Sequence, residues 1–220
     1  SKLVFKSLTE NNMTRIVCIS DTHDQHRKIE IPEADLLIVA GDFTCNRVPL
    51  LDNYIDFNKW LGKLPVKHKV VVAGNHDTLF ELHPYRGQNI LTNATYLQDN
   101  GIEVEGLKIW GSPWTPLFAN WAFMRPDEKL KQYWYLIPNN TDILVTHGGA
   151  FGHLDRTGDY YGNKSCGSES LVDRMKDLQL KLHVFGHIHE SYGQQGIYVN
   201  AAQCDEMNNL VNKPIVVDIT

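Results

Sequence analysis

Residues 70–77 read VVVAGNHD, an apolar run that ends in a glycine and then in an amide, an imidazole and a carboxylate. A continuous run of β-branched side chains predicts a strand that is covered on both faces. Asn75, His76 and Asp77 follow directly at the carboxyl end of that strand. This stretch therefore predicts a buried strand that delivers polar groups to one edge of a sheet.

The same pattern, an apolar run that ends in polar residues, occurs four more times along the chain. Apolar runs at residues 15–20 (RIVCIS), 36–40 (LLIVA), 143–146 (ILVT) and 182–185 (LHVF) continue into DTH, GD, HGG and GHIH. Ligands of open α/β sheets bind outside the carboxyl ends of the strands. We therefore expect five separate stretches of chain to deliver side chains to one crevice.

The segments between these runs predict the remaining elements of one α/β domain. Helical spacing covers residues 51–61 and 168–178, and hairpin-like strands are predicted at residues 95–97, 102–105, 107–110, 197–200 and 215–219. We assign residues 13–220 to this domain and interpret residues 1–12, which precede Met13, as a flexible or vector-derived arm.

The polar side chains at the five strand ends form a mixed set of oxygen and nitrogen ligands. Such a set suits Mn, Fe, Zn or Ni better than Cu(I) or an iron–sulfur cluster. Residues two apart in extended chain point to the same side, so each D-x-H or H-x-H pair can aim both groups into one site. The set comprises Asp21, His23, Asp42, Asn75, His76, His147, His187 and His189.

Two metal ions account for this number of ligands better than one. A single tetrahedral ion with an open position needs only three protein ligands. One carboxylate must then bridge the pair, and Asp42 is the central candidate. Two divalent cations beside ionised Asp21 and Asp42 leave a net positive centre, which lowers the pKa of a bridging water and holds a phosphate ester.

Each of these residues alone has an ordinary explanation as a helix cap or a turn. Their concentration argues otherwise, because five of the ten histidines fall at the strand ends. We interpret the other five as surface or structural groups, with His26 and His153 as additional site candidates. They are His26, His68, His83, His153 and His183.

Composition excludes several classes of function. The net charge is −5 and no Lys/Arg-rich block occurs, which argues against a protein that clamps long nucleic acid. No apolar run approaches the roughly 20 residues of a membrane span, and the first residues lack a secretory signal. The four cysteines form no CxxC pair and are interpreted as reduced thiols. We therefore expect a cytoplasmic protein without membrane contacts.

The ordered motifs D-x-H, G-D, G-N-H-D, T-H-G and G-H-x-H, between residues 21 and 189, resemble the calcineurin-like metallophosphoesterase superfamily. Three stretches are similar to its MPPED-type branch, grouped with class III cyclic-nucleotide phosphodiesterases, as are residues 200–202 (NAA) and 214–219 (PIVVDI). The resemblance implies an α/β fold, a four-layer α/β/β/α sandwich with a dinuclear metal site at the carboxyl ends of the strands. The three stretches are residues 111–123 (GSPWTPLFANWAF), 146–156 (THGGAFGHLDR) and 183–193 (HVFGHIHESYG).

The resemblance also implies a role for each site residue. One metal ion is expected to be held by Asp21, His23, Asp42 and His189, and the other by Asp42, Asn75, His147 and His187. His76 is expected to donate a hydrogen bond to the phosphate and to act as general acid, with Asp77 orienting it.

Two comparisons with subgroups of that superfamily narrow the activity that the resemblance implies. Some MPPED-type members carry glycine in place of a ligand histidine and are poor catalysts, whereas His187 and His189 are both present here. The Ser/Thr protein phosphatases continue the second motif as G-D-x-V-D-R-G, whereas residues 41–48 read GDFTCNRV. Arg47 is out of register with that pattern, which counts against a protein phosphatase. It remains a substrate-binding candidate with Asn75 and His76.

The expected activity is hydrolysis of a small phosphate ester. We predict a phosphodiesterase for nucleotides or cyclic nucleotides that uses a metal-bridging hydroxide. The alternatives are a phosphomonoesterase or nuclease on the same centre, or a non-catalytic nucleotide-binding protein. The aromatic segment containing Trp114, Phe118, Trp121 and Phe123 either packs in the core or provides a ring for a nucleobase, with Trp114 as the candidate. The loop at residues 152–167 is either a rim over the site or a connection.

Overall fold

Two β-sheets form the centre of the protein in the computed structural model, which describes residues 13–45 and 48–220. The predicted arm at residues 1–12 and the candidate Arg47 lie outside the described residues. The strands are β1 (Thr14–Ile19), β2 (Leu36–Ala40), β3 (His68–Val72), β4 (Thr95–Tyr96), β5 (Asn100–Val104), β6 (Leu107–Ser112), β7 (Thr115–Pro116), β8 (Met124–Arg125), β9 (Ile143–Thr146), β10 (Leu182–Phe185), β11 (Gly193–Gln195), β12 (Tyr198–Asn200) and β13 (Ile215–Ile219).

The helices lie between strands in the chain order and pack beside the sheets. The α-helices are α1 (Leu51–Lys63), α2 (Thr78–Leu82), α3 (Pro84–Ile90), α4 (Asp127–Trp134) and α5 (Glu169–Met175). Short 3-10 turns occur at His26–Lys28, Asp159–Tyr161 and His189–Ser191. Within the described residues, no helix has the length and apolar character needed to cross a membrane.

The first sheet has the strand order β13-β1-β2-β3-β4, and the second has the order β11-β12-β10-β9-β6-β5. Strands β1 to β4 run parallel, while β13 pairs antiparallel with β1. In the second sheet β6, β9, β10 and β12 run parallel, and β5 and β11 form the antiparallel edges. A two-stranded parallel pair, β7 with β8, lies outside both sheets.

Strand side chains alternate between two separate apolar layers, as the period of two in a pleated strand requires. Ile16 and Ile38 of the first sheet belong to the same buried cluster as Ile143, Val145 and Val184 of the second. This cluster fills the space between the sheets.

The opposite faces of the two sheets pack against helices. Val17 and Leu37 share a buried cluster with Phe57 of α1, and Leu144 of the second sheet lies in that cluster with Trp134 of α4. Helices therefore cover both outer faces, and the predicted four-layer α/β/β/α sandwich is confirmed.

The sequence predicted the central strands closely and the peripheral elements less well. The runs at residues 36–40, 143–146 and 182–185 coincide with β2, β9 and β10. The prediction of hairpins is right for β5 with β6 and for β12, which pairs antiparallel with β11, but wrong for β4, which adds parallel to β3. Three short helices, α2, α3 and α4, were not predicted.

The carboxyl ends of the two sheets meet at one edge of the sandwich. Ser20, just after β1, donates its backbone N–H to Ala201 and forms a parallel bridge with Ala202, so the first sheet is joined to the end of β12. Two glycines allow this close approach. A Cβ on Gly186 would overlap the carboxylate of Asp21, and one on Gly74 would overlap that of Asp42.

Candidate metal centre

The structure brings the strand-end residues together in one crevice between the sheets. Asp21 and His23 follow β1, Asp42 follows β2, and Asn75 follows β3. From the second sheet, His147 follows β9, and His187 and His189 follow β10. Five of the seven are buried, while His187 and His189 are partly buried.

One side of the cluster is formed by Asp21, His23 and His189, whose ligand atoms lie within 4.8 Å of one another. The Nε2 atom of His189 lies 3.2 Å from Asp21 Oδ1 and 3.4 Å from His23 Nε2. Its Nδ1 atom donates to the backbone carbonyl of Asp205 at 2.8 Å. Because that carbonyl can only accept, Nδ1 carries the hydrogen and Nε2 faces the cluster.

The other side contains Asp42, Asn75, His147 and His187. The Nε2 atom of His147 lies 2.9 Å from Asn75 Oδ1 and 3.4 Å from Asp42 Oδ2, and Nδ1 donates to the carbonyl of Ala40 at 2.9 Å. The ring of His187 lies 4.9 Å from that of His147, and its backbone N–H donates to Asp21 Oδ2.

Asp42 lies between the two sides. Its carboxylate forms one potential ligand group with His23 and His76 and another with Asp21 and His147. Its Oδ1 atom also accepts the backbone N–H of His76 at 2.7 Å. The carboxylate of Asp42 therefore belongs to two of the potential ligand groups at once.

The electrostatics of the cluster favour added positive charge. Burial raises the pKa of Asp21, but the hydrogen bond and charge of His189 hold it well below its usual range. Burial also raises the pKa of Asp42, but the charges of His147 and His76 outweigh it and hold that pKa well below its usual range.

The two carboxylates raise the pKa values of two of the histidines. Burial lowers the pKa of His147, but the charge of Asp42 raises it to about 9. Burial also lowers that of His189, and its hydrogen bond to Asp21 raises it to about 9. In contrast, burial together with the charge of His147 lowers the pKa of His187 to about 3.

The donor set fits divalent cations. With Nδ1 protonated, the Nε2 lone pairs of His147 and His189 face carboxylate and amide oxygens, and acceptors facing acceptors repel one another. The raised pKa values show that each site attracts a proton, and a metal ion supplies the same positive charge. Imidazole and carboxylate groups are ligands of first-row transition metals.

The backbone at the cluster adopts an uncommon conformation. Asp21, His23, Asp42 and His187 have φ angles of 50°, 41°, 49° and 69°. Such left-handed conformations are uncommon outside glycine, although Asp and His adopt them more readily than most residues. Strain of this kind concentrates at functional sites, where surrounding contacts hold it in place.

His76 lies at the edge of the cluster, with its side chain 16% exposed. Its Nδ1 atom donates to the carbonyl of Cys45 at 3.1 Å, so Nε2 is the nitrogen left for other partners. Nε2 lies 4.0 Å from Asp42 Oδ2, and the ring lies 5.0 Å from that of His23.

The expectation that Asp77 orients the ring of His76 needs correction. The Asp77 carboxylate accepts from the backbone and hydroxyl of Thr44 and from the backbone N–H of Gly74. These hydrogen bonds do not involve the imidazole, whose Nδ1 atom donates to Cys45. Asp77 therefore joins the two loops that carry Asp42 and His76 and acts on the ring only indirectly.

Comparison with known proteins identifies the family. A model of the calcineurin-like phosphoesterase family matches residues 14–191. This chain belongs to that family. It is therefore a metal-dependent phosphoesterase, and the resemblance inferred from the strand-end motifs is confirmed.

Relatives of this phosphoesterase support the narrower resemblance. The human protein named metallophosphoesterase domain-containing protein 1 is 41% identical over 94% of the chain and 71% of its own length. A crystal structure with 16% identity shares only the fold with this chain, with a TM-score of 0.63 over 86% of this chain and 90% of the other.

A second solved structure shares the fold of this phosphoesterase. It is described as a putative 5'-nucleotidase from Staphylococcus aureus and has a TM-score of 0.51 at 14% identity. The match covers 94% of this chain and 54% of that one.

The aromatic residues beside the phosphoesterase site differ from the one predicted. Trp114 is buried, stacks on Tyr133 at 4.0 Å and donates its indole N–H to Asp99, so it belongs to the packed layer. Instead, Trp121 contacts His76 with ring centroids 4.7 Å apart, and Phe118 contacts His187 at 5.5 Å. No sequence signal separates Trp121 and Phe118 from Trp114, because only the path of the loop places the first two beside the site.

The additional histidine candidates lie outside the cluster. The side chain of His26 is 2% exposed, pairs with Asp56 and packs against Phe57. His153 stacks on Tyr198 with centroids 3.8 Å apart. Both therefore have structural partners in this phosphoesterase.

Proposed function

We propose that this phosphoesterase hydrolyses phosphodiesters of nucleotides or cyclic nucleotides. The supporting observation is the pair of rings beside the cluster. Phe118, 63% exposed, lies 5.3 Å from Trp121, and the two together reach from His187 to His76. A nucleobase can stack on such a surface because every base presents an aromatic face.

The proposed centre takes two divalent transition-metal ions, such as Mn, Fe, Zn or Ni. We assign Asp21, His23, Asp42 and His189 to one ion, and Asp42, Asn75, His147 and His187 to the other. When bound, such a pair lowers the pKa of coordinated water and offsets the charge of the phosphate. The contacts of Nδ1 in His147 and His189 with backbone carbonyls hold their Nε2 atoms in the required orientation.

His76 is proposed to deliver a proton to the leaving oxygen from Nε2. The carbonyl of Cys45 fixes the hydrogen on Nδ1, so a second proton on Nε2 is the one available to substrate. The ring of Trp121 lies beside this imidazole, with the two centroids 4.7 Å apart.

The charge around the cluster favours a diester over a monoester. Among the described residues, no lysine or arginine makes a hydrogen bond or ion pair with the eight strand-end residues from Asp21 to His189. A diester carries one negative charge at its phosphate and needs less compensation than a doubly charged monoester. The name of the S. aureus neighbour is compatible with a nucleotide substrate.

A substrate panel tests the proposal. The protein, loaded separately with Mn, Fe, Zn or Ni, is assayed on cyclic AMP, a dinucleotide, AMP and single-stranded DNA. We expect the cyclic or dinucleotide diester to give the highest kcat/KM. Faster cleavage of AMP would assign a phosphomonoesterase instead, and faster cleavage of DNA would assign a nuclease.

The cellular location remains part of the proposal. All four cysteines are free thiols, and two of them, Cys18 and Cys204, are buried. Free thiols are typical of reducing compartments. Cytoplasmic action is the location we propose, and fractionation of cells that produce the protein tests it.

A further inference from the structure

The aromatic rings beside the cluster lie on a short loop between β7 and β8, which we call the aromatic loop (residues 117–123). Backbone hydrogen bonds from Thr115 to Phe123 and from Leu117 to Arg125 close its base. Phe123, at the end of the loop, has a φ angle of 55°, which is rare for a bulky residue. Contacts outside the loop must therefore hold this end in place.

One carboxylate makes those contacts. The Oε2 atom of Glu81 accepts the backbone N–H of Phe123 at 3.1 Å. Its Oε1 atom accepts from Nη2 of Arg125 at 2.9 Å. The two oxygens of a single side chain therefore hold the end of the aromatic loop through the backbone N–H of Phe123 and the guanidinium of Arg125 in the adjoining β8.

Glu81 belongs to α2, the helix that continues from the segment carrying His76. Helix α2 begins at Thr78, and Glu81 is its fourth residue. The Glu81 contacts consequently join the aromatic loop to the stretch of chain that positions His76. Because Trp121 in that loop contacts the ring of His76, the two segments meet at the site as well.

Arg125, the side-chain partner of Glu81, is itself held by further contacts. The Arg125 guanidinium lies 4.8 Å above the ring of Trp114, and Nη1 donates to the carbonyl of Met124. Trp114 stacks on Tyr133 and donates a hydrogen bond to Asp99. Arg125 therefore packs on a fixed aromatic ring, and Glu81 connects Arg125 to the helix that follows His76.

We propose that Glu81 is a positioning residue for substrate specificity, which holds the aromatic loop so that Phe118 and Trp121 select phosphate esters carrying a planar base. The inference rests on the proposed function in taking the substrate to be a nucleotide. It adds that selection for the base depends on a carboxylate that does not contact the metal ligands. A purely structural role would instead affect every substrate alike.

Two substrates with the same leaving group separate these roles. Thymidine 5'-(p-nitrophenyl phosphate) and methyl p-nitrophenyl phosphate are both diesters that release p-nitrophenol, but only the first retains a base. Loss of one base–aromatic stack lowers affinity roughly 5- to 160-fold. For Glu81→Gln we expect kcat/KM on the thymidine ester to fall about tenfold, mainly through KM, and the rate on the methyl ester to change less than about twofold.

A matched control and a double variant sharpen the test. Glu103→Gln makes the same change at an exposed position of β5 and is expected to resemble wild type on both esters. Glu81 acts through Phe118 and Trp121, so the double variant Glu81→Gln/Phe118→Ala should lose less than the product of the two single losses. Independent, multiplicative losses would overturn the proposal, as would equal losses of Glu81→Gln on both esters.

Binding distinguishes failure of this inference from failure of the proposed activity. Calorimetric titration with AMP and with inorganic phosphate compares a ligand with a base to one without, and it needs no turnover. In Glu81→Gln we expect AMP affinity to fall about tenfold and phosphate affinity to stay the same. If wild type cleaves neither diester, the proposed function fails and this titration alone decides. Equal AMP affinity in wild type and variant would overturn the role of Glu81.

Discussion

At the scale of single residues, His76 is the group whose role can be separated most clearly from metal binding. One of its nitrogens donates to Cys45, and the other lies 4.0 Å from Asp42 Oδ2. The ring is therefore held by the backbone and does not depend on a metal ion for its orientation.

The first prediction concerns His76→Ala. We expect the variant to keep its metal content and to lose about 10²–10⁴-fold in turnover, the usual contribution of a positioned acid. The loss should be smaller on a p-nitrophenyl ester, whose leaving group needs little protonation, than on a ribose ester. Elemental analysis and parallel rates on the two esters measure this. Equal losses would mean that His76 stabilises phosphate charge, and a missing ion would make it a ligand.

The second prediction concerns Asp42, whose carboxylate reaches both sides of the cluster and also accepts the N–H of His76. Asp42→Ala should lose at least one ion and lower turnover by roughly 10²–10³-fold or more, since it removes a major electrostatic contact. Metal content is measured beside the rate. Retention of both ions in an inactive protein would contradict the bridging role.

At the scale of secondary-structure elements, α1 supports the loop that carries Asp42. Phe43 directly follows Asp42 and stacks on Phe57 of α1, with ring centroids 4.3 Å apart and an interplanar angle of 12°. Both rings are fully buried. Packing of this helix therefore fixes the backbone beside the proposed bridging carboxylate.

The third prediction is that Phe57→Ala destabilises the fold by about 3–5 kcal/mol, as expected for removing a buried phenyl ring. For a chain of this size, that corresponds to a decrease in Tm of about 10 °C. Thermal unfolding followed by circular dichroism measures it. Lys59→Ala, at an exposed position of the same helix, is the control and should change stability by less than about 0.5 kcal/mol. Similar Tm values for the two variants would refute this packing role.

At the scale of the whole molecule, the proposed metal centre couples stability to pH. The pKa values of His147 and His189 are raised to about 9, so the metal-free fold holds protons that the unfolded chain releases near pH 6.5. Their stabilising contribution is complete below that pH and is lost as pH rises through about 9. Burial and the charge of Asp42 raise the pKa of Asp77 to about 8, which adds an effect of the same sign.

The fourth prediction follows from that coupling. The Tm of the chelated protein should fall between pH 6.5 and 9, whereas excess Mn should offset the fall because it replaces the protons. Metal at 100 times its Kd adds about 2.7 kcal/mol. Calorimetry in buffers of different ionisation enthalpy should show protons released on metal binding at pH 7. A chelated protein whose Tm stays constant over this range would refute the assignment.

Sequence patterns determined the central architecture because buried parallel strands need continuous apolar runs. Those runs also located Asp21, Asp42 and His147, since a strand end fixes where the next side chain lies. Short strands such as β4 carry too few residues to indicate the direction of pairing. Trp114 and Trp121 look alike in sequence, and only the path of the aromatic loop buries one and brings the other to His76. We retain one domain over residues 13–220 as a proposal, which the core shared by both sheets supports.

The antiparallel pairing of β13 with β1 has a consequence for biosynthesis. β1 is the first described strand to leave the ribosome, and its partner β13 follows all the other strands. One edge of β1 consequently stays open until β13 has been synthesised, with unpaired N–H and C=O groups that other nascent chains can bind. Folding of the first sheet can begin early but cannot be completed until β13 has left the ribosome, so a chaperone that shields this edge should raise the yield.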